Sequence, residues 1–209
     1  MHKVKIDPIT NPRMPTLVTH PVVLVGANIN GKPDFAAVAW VGVAASQPPA
    51  ISIALQHPRH TLKGIRQNMT FSVNIPSTDL VKETDYCGLI SGAKTDKVRD
   101  ARLKTFYGSV DTAPFIEQCP LNHACEVVQI LDLGSHVLII GRIKETYVSE
   151  DCLKNGRPDA SKIKPLIMTS GKYKAVGREL GNTFQIGSVI APNKTKAAVE
   201  QLRKEHPRR

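Results

Sequence analysis

The sequence predicts a mainly β fold, an antiparallel barrel with short peripheral helices. Three observations carry that expectation. Short strand-like stretches recur from residue 21 to residue 168, helical patterns are few and brief, and an Asn30-Gly31 dipeptide marks a tight hairpin between the first two strands. With 209 residues the chain can bury one sizeable core and has little room for a second full domain. The expected division is an N-terminal arm (1–20), a barrel domain (21–191) and a basic C-terminal helix or tail (192–209).

The arm is rich in proline and polar residues and reads as extended. Residues 21–28, with Val22, Val23, Leu24 and Val25, form the first clear strand. A type I′ turn needs positive φ at both central positions, which Asn-Gly accepts, so the next strand returns antiparallel. Residues 35–44 are small and apolar around Trp40, as expected of one strand buried on both faces. Gln47-Pro48-Pro49 then ends it, because two prolines cannot continue a ladder. Residues 50–56 alternate, with Ile51, Ile53 and Leu55 opposite Ser52, Ala54 and Gln56, and residues 71–75 complete a meander.

Pro58-Arg59-His60-Thr61 stands directly before residues 62–67, a short helix with Thr61 as the expected N-cap. A helix N-terminus offers unpaired N–H groups and the positive end of its dipole. Here a guanidinium, an imidazole and a hydroxyl surround it, an arrangement suited to phosphate. An ordinary capped helix with solvated basic neighbours has the same signature.

Residues 78–90 read as helix, with Ser77 or Thr78 as cap, and run into Ser91-Gly92-Ala93-Lys94. That loop is not a P-loop: the glycine spacing is wrong, Lys94 does not follow Gly92 directly, and a helix precedes it where a strand is needed. Residues 93–115 are polar and irregular, with room for a short helix. Strands resume at 124–133 and 136–148 across a tight turn, and residues 165–168 form a last short strand. A glycine-punctuated stretch follows, and residues 194–205 are expected to form a terminal amphipathic helix.

Hydrophobic content of 41% and charged content of 22% are ordinary for a globular domain. No apolar run approaches the roughly 20 residues of a membrane span, and the N-terminus lacks an apolar signal core, so the expected address is the cytoplasm. Cys87, Cys119, Cys125 and Cys152 have no zinc spacing and no Cys-x-x-Cys pair, so no metal site is expected. The net charge is +10, of which the tail supplies +4: six Lys and Arg from Lys194 to Arg209 against Glu200 and Glu205. With 5% aromatic residues and no RNA-binding signature, a base-stacking platform is poorly supported, and no nucleic-acid partner is expected. The charge reads instead as a basic surface that attracts anionic cofactors or acidic partners.

Three blocks in order resemble the flavin reductase-like family, which includes flavoredoxins. The first is residues 36–74, with Trp40, Ser46 before Pro48-Pro49, Thr61 and Phe71-Ser72-Val73-Asn74. The second is Asp85-Tyr86-Cys87-Gly88-Leu89-Ile90-Ser91-Gly92 followed by Asp96-Lys97. The third is Gly134-Ser135-His136 with Gly141, closed by residues 173–187. The resemblance implies an FMN-binding split β-barrel that forms a homodimer, with one FMN per subunit near the interface. By that resemblance the strand end of Trp40, Val41, Gly42, Val43 and Ser46 lies along the isoalloxazine ring. Arg59, His60 and Thr61 hold the phosphate, and Asn74 helps to fix the ribityl chain or ring edge. Asn28, Gln56, Cys87, Ser91 and Tyr173 are further candidate cofactor contacts, and His136 is the candidate catalytic residue at the ring face. As core readings, Cys87 is a buried structural thiol and His136 a histidine capping a turn.

The implied activity is electron transfer through FMN between NAD(P)H or a redox protein and an acceptor. No Gly-x-Gly-x-x-Gly follows a strand, so a nicotinamide nucleotide would bind over the flavin and not in a Rossmann site. A non-enzymatic cofactor-binding or sensor module on the same barrel is the alternative, and an OB-type nucleic-acid barrel a more distant one.

Overall fold

The computed structural model describes residues 2–5, 17–183, 185–190 and 201. Most of the expected N-terminal arm and of the 194–205 helix lies outside the described residues. In chain order the first elements are β1 (Thr19–Pro21), β2 (Val23–Ile29), β3 (Lys32–Val38), β4 (Val41–Ser46), β5 (Pro49–Gln56), α1 (His60–Asn68) and β6 (Thr70–Ile75). A 3-10 turn then leads into α2 (Val81–Leu89) and α3 (Lys97–Asp100), followed by the short β7 (Thr105–Phe106) and β8 (Phe115–Ile116). The long hairpin β9 (Leu121–Asp132) and β10 (His136–Val148) follows. Last come β11 (Leu153–Lys154), β12 (Arg157–Pro158), α4 (Ala160–Ile163), β13 (Leu166–Thr169) and β14 (Lys172–Ala175).

Seven strands form one antiparallel sheet in the order β3-β2-β6-β9-β10-β5-β4. Its two edge strands, β3 and β4, are consecutive in the chain. The Ala39-Trp40 link therefore carries the chain from one edge of the sheet to the other, and the Trp40 carbonyl accepts the Ala54 N–H at 2.9 Å. This crossing curls the sheet into an antiparallel split barrel. A separate three-stranded sheet, β1-β13-β14, lies in the same unit.

Side-chain period two sorts the buried strands into two cores. Val23, Val25 and Ala27 of β2 join Ile53, Phe71, Val137 and Ile139 inside the barrel, where α1 adds Leu62 and Ile65. Leu24 and Phe35 point the other way, into a layer with Cys87 of α2, Leu103 and Ile116. That is why β2 and the second half of β3, residues 35–38, are apolar at nearly every position.

The Asn30-Gly31 hairpin forms as expected, with φ of 51° and 79°. The single buried strand expected over 35–44 does not. It breaks at Ala39-Trp40: β3 is largely buried, whereas β4 is an edge strand with Val43 85% exposed. An apolar composition fits a doubly buried strand and an uncovered edge strand equally well, which is why the pattern misled.

The chain divides into two compact units, 1–176 and 177–209. In the second unit the Gln185 and Ile186 N–H groups both donate to the Asn182 carbonyl, ahead of a 3-10 turn at Ile186–Ile190.

Candidate functional site

Helix α1 begins immediately after β5 because Pro58 blocks the ladder and Arg59, extended at φ −65° and ψ 123°, serves as N-cap. Thr61 is not the cap. Its hydroxyl donates instead to buried Asp34 of β3 at 2.5 Å, so the first-turn N–H groups receive no side-chain cap. The first helical bond runs from Leu62 N–H to the Arg59 carbonyl, and the N–H groups of His60 and Thr61 ahead of it have no acceptor inside the helix. Both residues line a cavity of about 200 Å³ together with Arg59, Ser91 and Lys97. Nδ1 of His60 is buried there without a hydrogen-bond partner.

Two elements bring cations to this cavity. Nη1 of Arg59 donates to the Gly88 carbonyl near the end of α2 at 2.7 Å, which fixes the guanidinium along the rim. Lys97, the first residue of α3, is 4% exposed, pairs with Asp34 at 2.8 Å and also donates to the Phe35 carbonyl. Two of the three donors of its ammonium are thereby engaged. Gly92 lies directly against the Asp34 carboxylate, where any side chain would collide with it. The α2–α3 loop can therefore close over the pair. Lys97 was not a sequence candidate, although one signal was present. A lysine in the first turn of a helix opposes the dipole, so it needs another reason to be there.

A second cavity, of about 260 Å³, adjoins the first through Gln56 and Arg59, which line both. Ala37, Val38, Ala39, Trp40 and Leu55 give it an apolar wall, and His136 and Met168 complete it. The His136 ring stacks on Trp40 with centroids 4.0 Å apart. Partial burial holds its protonation below the usual imidazole range, and the charges of His57 and Arg59 add to that effect. His136 Nδ1 pairs with the Ser135 hydroxyl at 2.9 Å. His57 reaches the same turn, with Nε2 2.9 Å from the Gly134 carbonyl and 3.3 Å from Asp132. It too was missed, since nothing local in the sequence links residue 57 to residues 132–134.

The structure thus gathers Gln56, Arg59, His60, Thr61, Ser91, Trp40 and His136 around two joined cavities. Other candidates lie elsewhere. Asn74 is fully buried and engages all four of its hydrogen-bonding positions with Leu24, Ser72, Ile116 and Asn122. Asn28 holds Tyr107 and Asp111, and its carbonyl accepts from Asn68 at the far end of α1. Cys87 is sealed in the second core, where burial pushes its thiol up to about 11. Tyr173 donates to Asp85 at 2.9 Å, and burial together with that carboxylate raises it to about 12. Val41 and Gly42 line a third cavity, described below, while Val43 and Ser46 lie exposed on β4.

Residues 14–177 match the flavin reductase like domain, and the chain belongs to that family. Flavoredoxin from Methanosarcina acetivorans is 36% identical to it over 91% of this chain and 100% of that one, with a TM-score of 0.84. Flavoredoxin of Desulfovibrio vulgaris (Miyazaki F) is 31% identical over 85% of this chain and 98% of that one, with a TM-score of 0.78. Nitrilotriacetate monooxygenase component B from Bacillus cereus shares the fold at 19% identity, with a TM-score of 0.79 over 87% of this chain and 100% of that one. Among the described residues, no helix is long and apolar enough to cross a membrane.

Proposed function

We propose that the two joined cavities bind FMN and that the protein passes electrons through it, from NAD(P)H or a redox protein to an acceptor. The observation that carries this reading is the pairing itself. A cavity lined by cations at an uncapped helix N-terminus shares Gln56 and Arg59 with a neighbouring one that has Trp40 and other apolar residues on one wall and His136 beside them. A phosphate suits the first and a flat heteroaromatic ring the second. The buried, unpartnered Nδ1 of His60 is the kind of orphan that a phosphate oxygen satisfies when the ring carries a proton there. The flavoredoxin relatives, and an FMN-binding protein from Thermus thermophilus with the same fold, support the choice of cofactor.

In this reading, the first-turn N–H groups of α1 and the Arg59 guanidinium hold the phosphate, with Ser91 and Lys97 beside it. Asp34 holds Lys97 in place. Gln56 offers its amide where the two cavities meet, and Trp40 and the neighbouring apolar residues exclude water from the ring. His136, neutral at pH 7, keeps its ring flat against Trp40 and leaves Nε2 to the ligand. The chemistry supplied by the bound group is acceptance of a hydride and return of electrons singly or as a pair. A homodimer is part of the proposal, since the exposed β4 edge with Val43 offers a surface that a second copy would cover. Anaerobic addition of NADH or NADPH to the FMN-loaded protein tests the activity. Bleaching of the oxidised-flavin bands is expected with at least one of the two nucleotides or with a reduced redox protein. Bands that persist with every donor would overturn the electron-transfer reading.

A further inference from the structure

A third cavity, of about 350 Å³, lies between β1 and the start of β4 and shares only Ala39 and Trp40 with the second. Its wall is mostly apolar, from Leu17, Pro21, Trp40 and Val41. His20 also lines it, is 7% exposed, and has its Nε2 buried with no hydrogen-bond partner. A buried imidazole nitrogen without a partner is costly, and in native folds such a group usually meets a ligand or an ordered water. The volume is within the range of small-molecule sites, and a few polar groups in a mostly apolar wall are their usual composition. Here Thr19 and Ser52 also line the cavity, but their hydroxyls already pair with Thr169 and the Gly42 carbonyl, which leaves His20 as the unpartnered group.

We propose that this cavity is a subsite for a phenol-sized aromatic molecule bearing a hydroxyl group, with His20 Nε2 as its hydrogen-bond partner. A hydroxyl is favoured over a carbonyl because it both donates and accepts, so it satisfies Nε2 in either tautomer of the ring. Trp40 supplies a flat face for the ring. None of the phosphate-site residues lines this cavity, and it shares only Ala39 and Trp40 with the proposed ring site, so the assignment is tested apart from flavin binding through His20.

Trp40 is the only tryptophan, so its indole N–H signal reports directly on the shared wall. The full-length protein, labelled for NMR and free of flavin, is titrated with p-cresol and separately with toluene. Saturable shifts of the Trp40 indole signal are expected, with p-cresol binding about tenfold tighter, the value of one hydrogen bond to a buried partner. His20→Phe should abolish that preference while retaining toluene binding. Gly42→Leu provides a second variant. Gly42 faces Ser52 across the β4–β5 ladder on the cavity wall, and a side chain there meets open space, so the fold should tolerate a leucine that fills the cavity. It should weaken both probes at least fivefold. An unmoved indole signal, a p-cresol preference that survives His20→Phe, or wild-type binding in Gly42→Leu would each overturn the proposal. None of these results bears on FMN uptake, which is read separately from visible absorption.

Discussion

The imidazole of His136 lies over the indole of Trp40, ring centroids 4.0 Å apart and planes 27° from parallel. The contact joins the first residue of β10 to the link that carries the chain between the two edges of the sheet. It therefore places a titratable group on the wall of the proposed ring site.

His136 should titrate below 6.5, because burial first, and then the charges of His57 and Arg59, disfavour its protonation. The unfolded chain then takes up a proton at pH values where the folded chain does not. The contribution of this group to stability is complete above about pH 6.5 and is lost as the pH falls through the lowered folded value. NMR titration of the ring should show a midpoint below 6.5 that rises in His57→Ala. A midpoint at or above 6.5 in the wild type would show that Trp40 and its neighbours do not shield the ring.

Arg59→Ala should reduce the preference for FMN over riboflavin, which lacks the phosphate, by about 10- to 100-fold. That is the range for one charge-assisted hydrogen bond. Competitive titration of the two ligands gives the ratio directly. An unchanged ratio would remove Arg59 from the phosphate site.

Removing one partner of the buried Asp34–Lys97 pair leaves an uncompensated charge in the interior. Lys97→Met should lower unfolding stability by about 3–5 kcal/mol, and the double variant Asp34→Leu with Lys97→Met should recover much of that loss. Urea unfolding of the single and double variants checks both. A double variant no more stable than Lys97→Met would mean that the network with Thr61 and Phe35, and not the charge pair, sets the cost.

Gly64→Ala tests how closely α1 must sit on β2. Alanine in a helix interior ordinarily gains about 1 kcal/mol over glycine. Here the added carbon would press on the Asn28 carbonyl and on the Ile29 and Ala27 side chains, so the substitution should instead cost about 1–3 kcal/mol. It should also weaken FMN binding by moving the N-terminus of the helix. A stabilised variant with unchanged affinity would contradict this packing.

Local chemistry in the sequence made much of this legible. The Asn30-Gly31 turn, the alternation over 50–56 and the position of α1 after Pro58 each depend on residues a few places apart. The cationic cavity followed from Arg59, His60 and Thr61 for the same reason. What was hidden depends on distant pairing. Thr61 prefers Asp34 to its own helix end, Lys97 reaches back to β3, and His57 meets a turn that only the β5–β10 pairing brings close. Asn74 is a different case: a polar residue in a recognisable motif, it is buried and fully hydrogen-bonded between strands, which no local pattern reveals.

Whether the two neighbouring cavities hold a flavin is read from uptake. Full-length protein is incubated with FMN, passed through a desalting column and examined by visible absorption. The protein should emerge yellow, carrying one flavin per chain, with Trp40 fluorescence quenched in proportion. A protein that leaves the column colourless, with Trp40 fluorescence unchanged, would contradict flavin binding in these cavities.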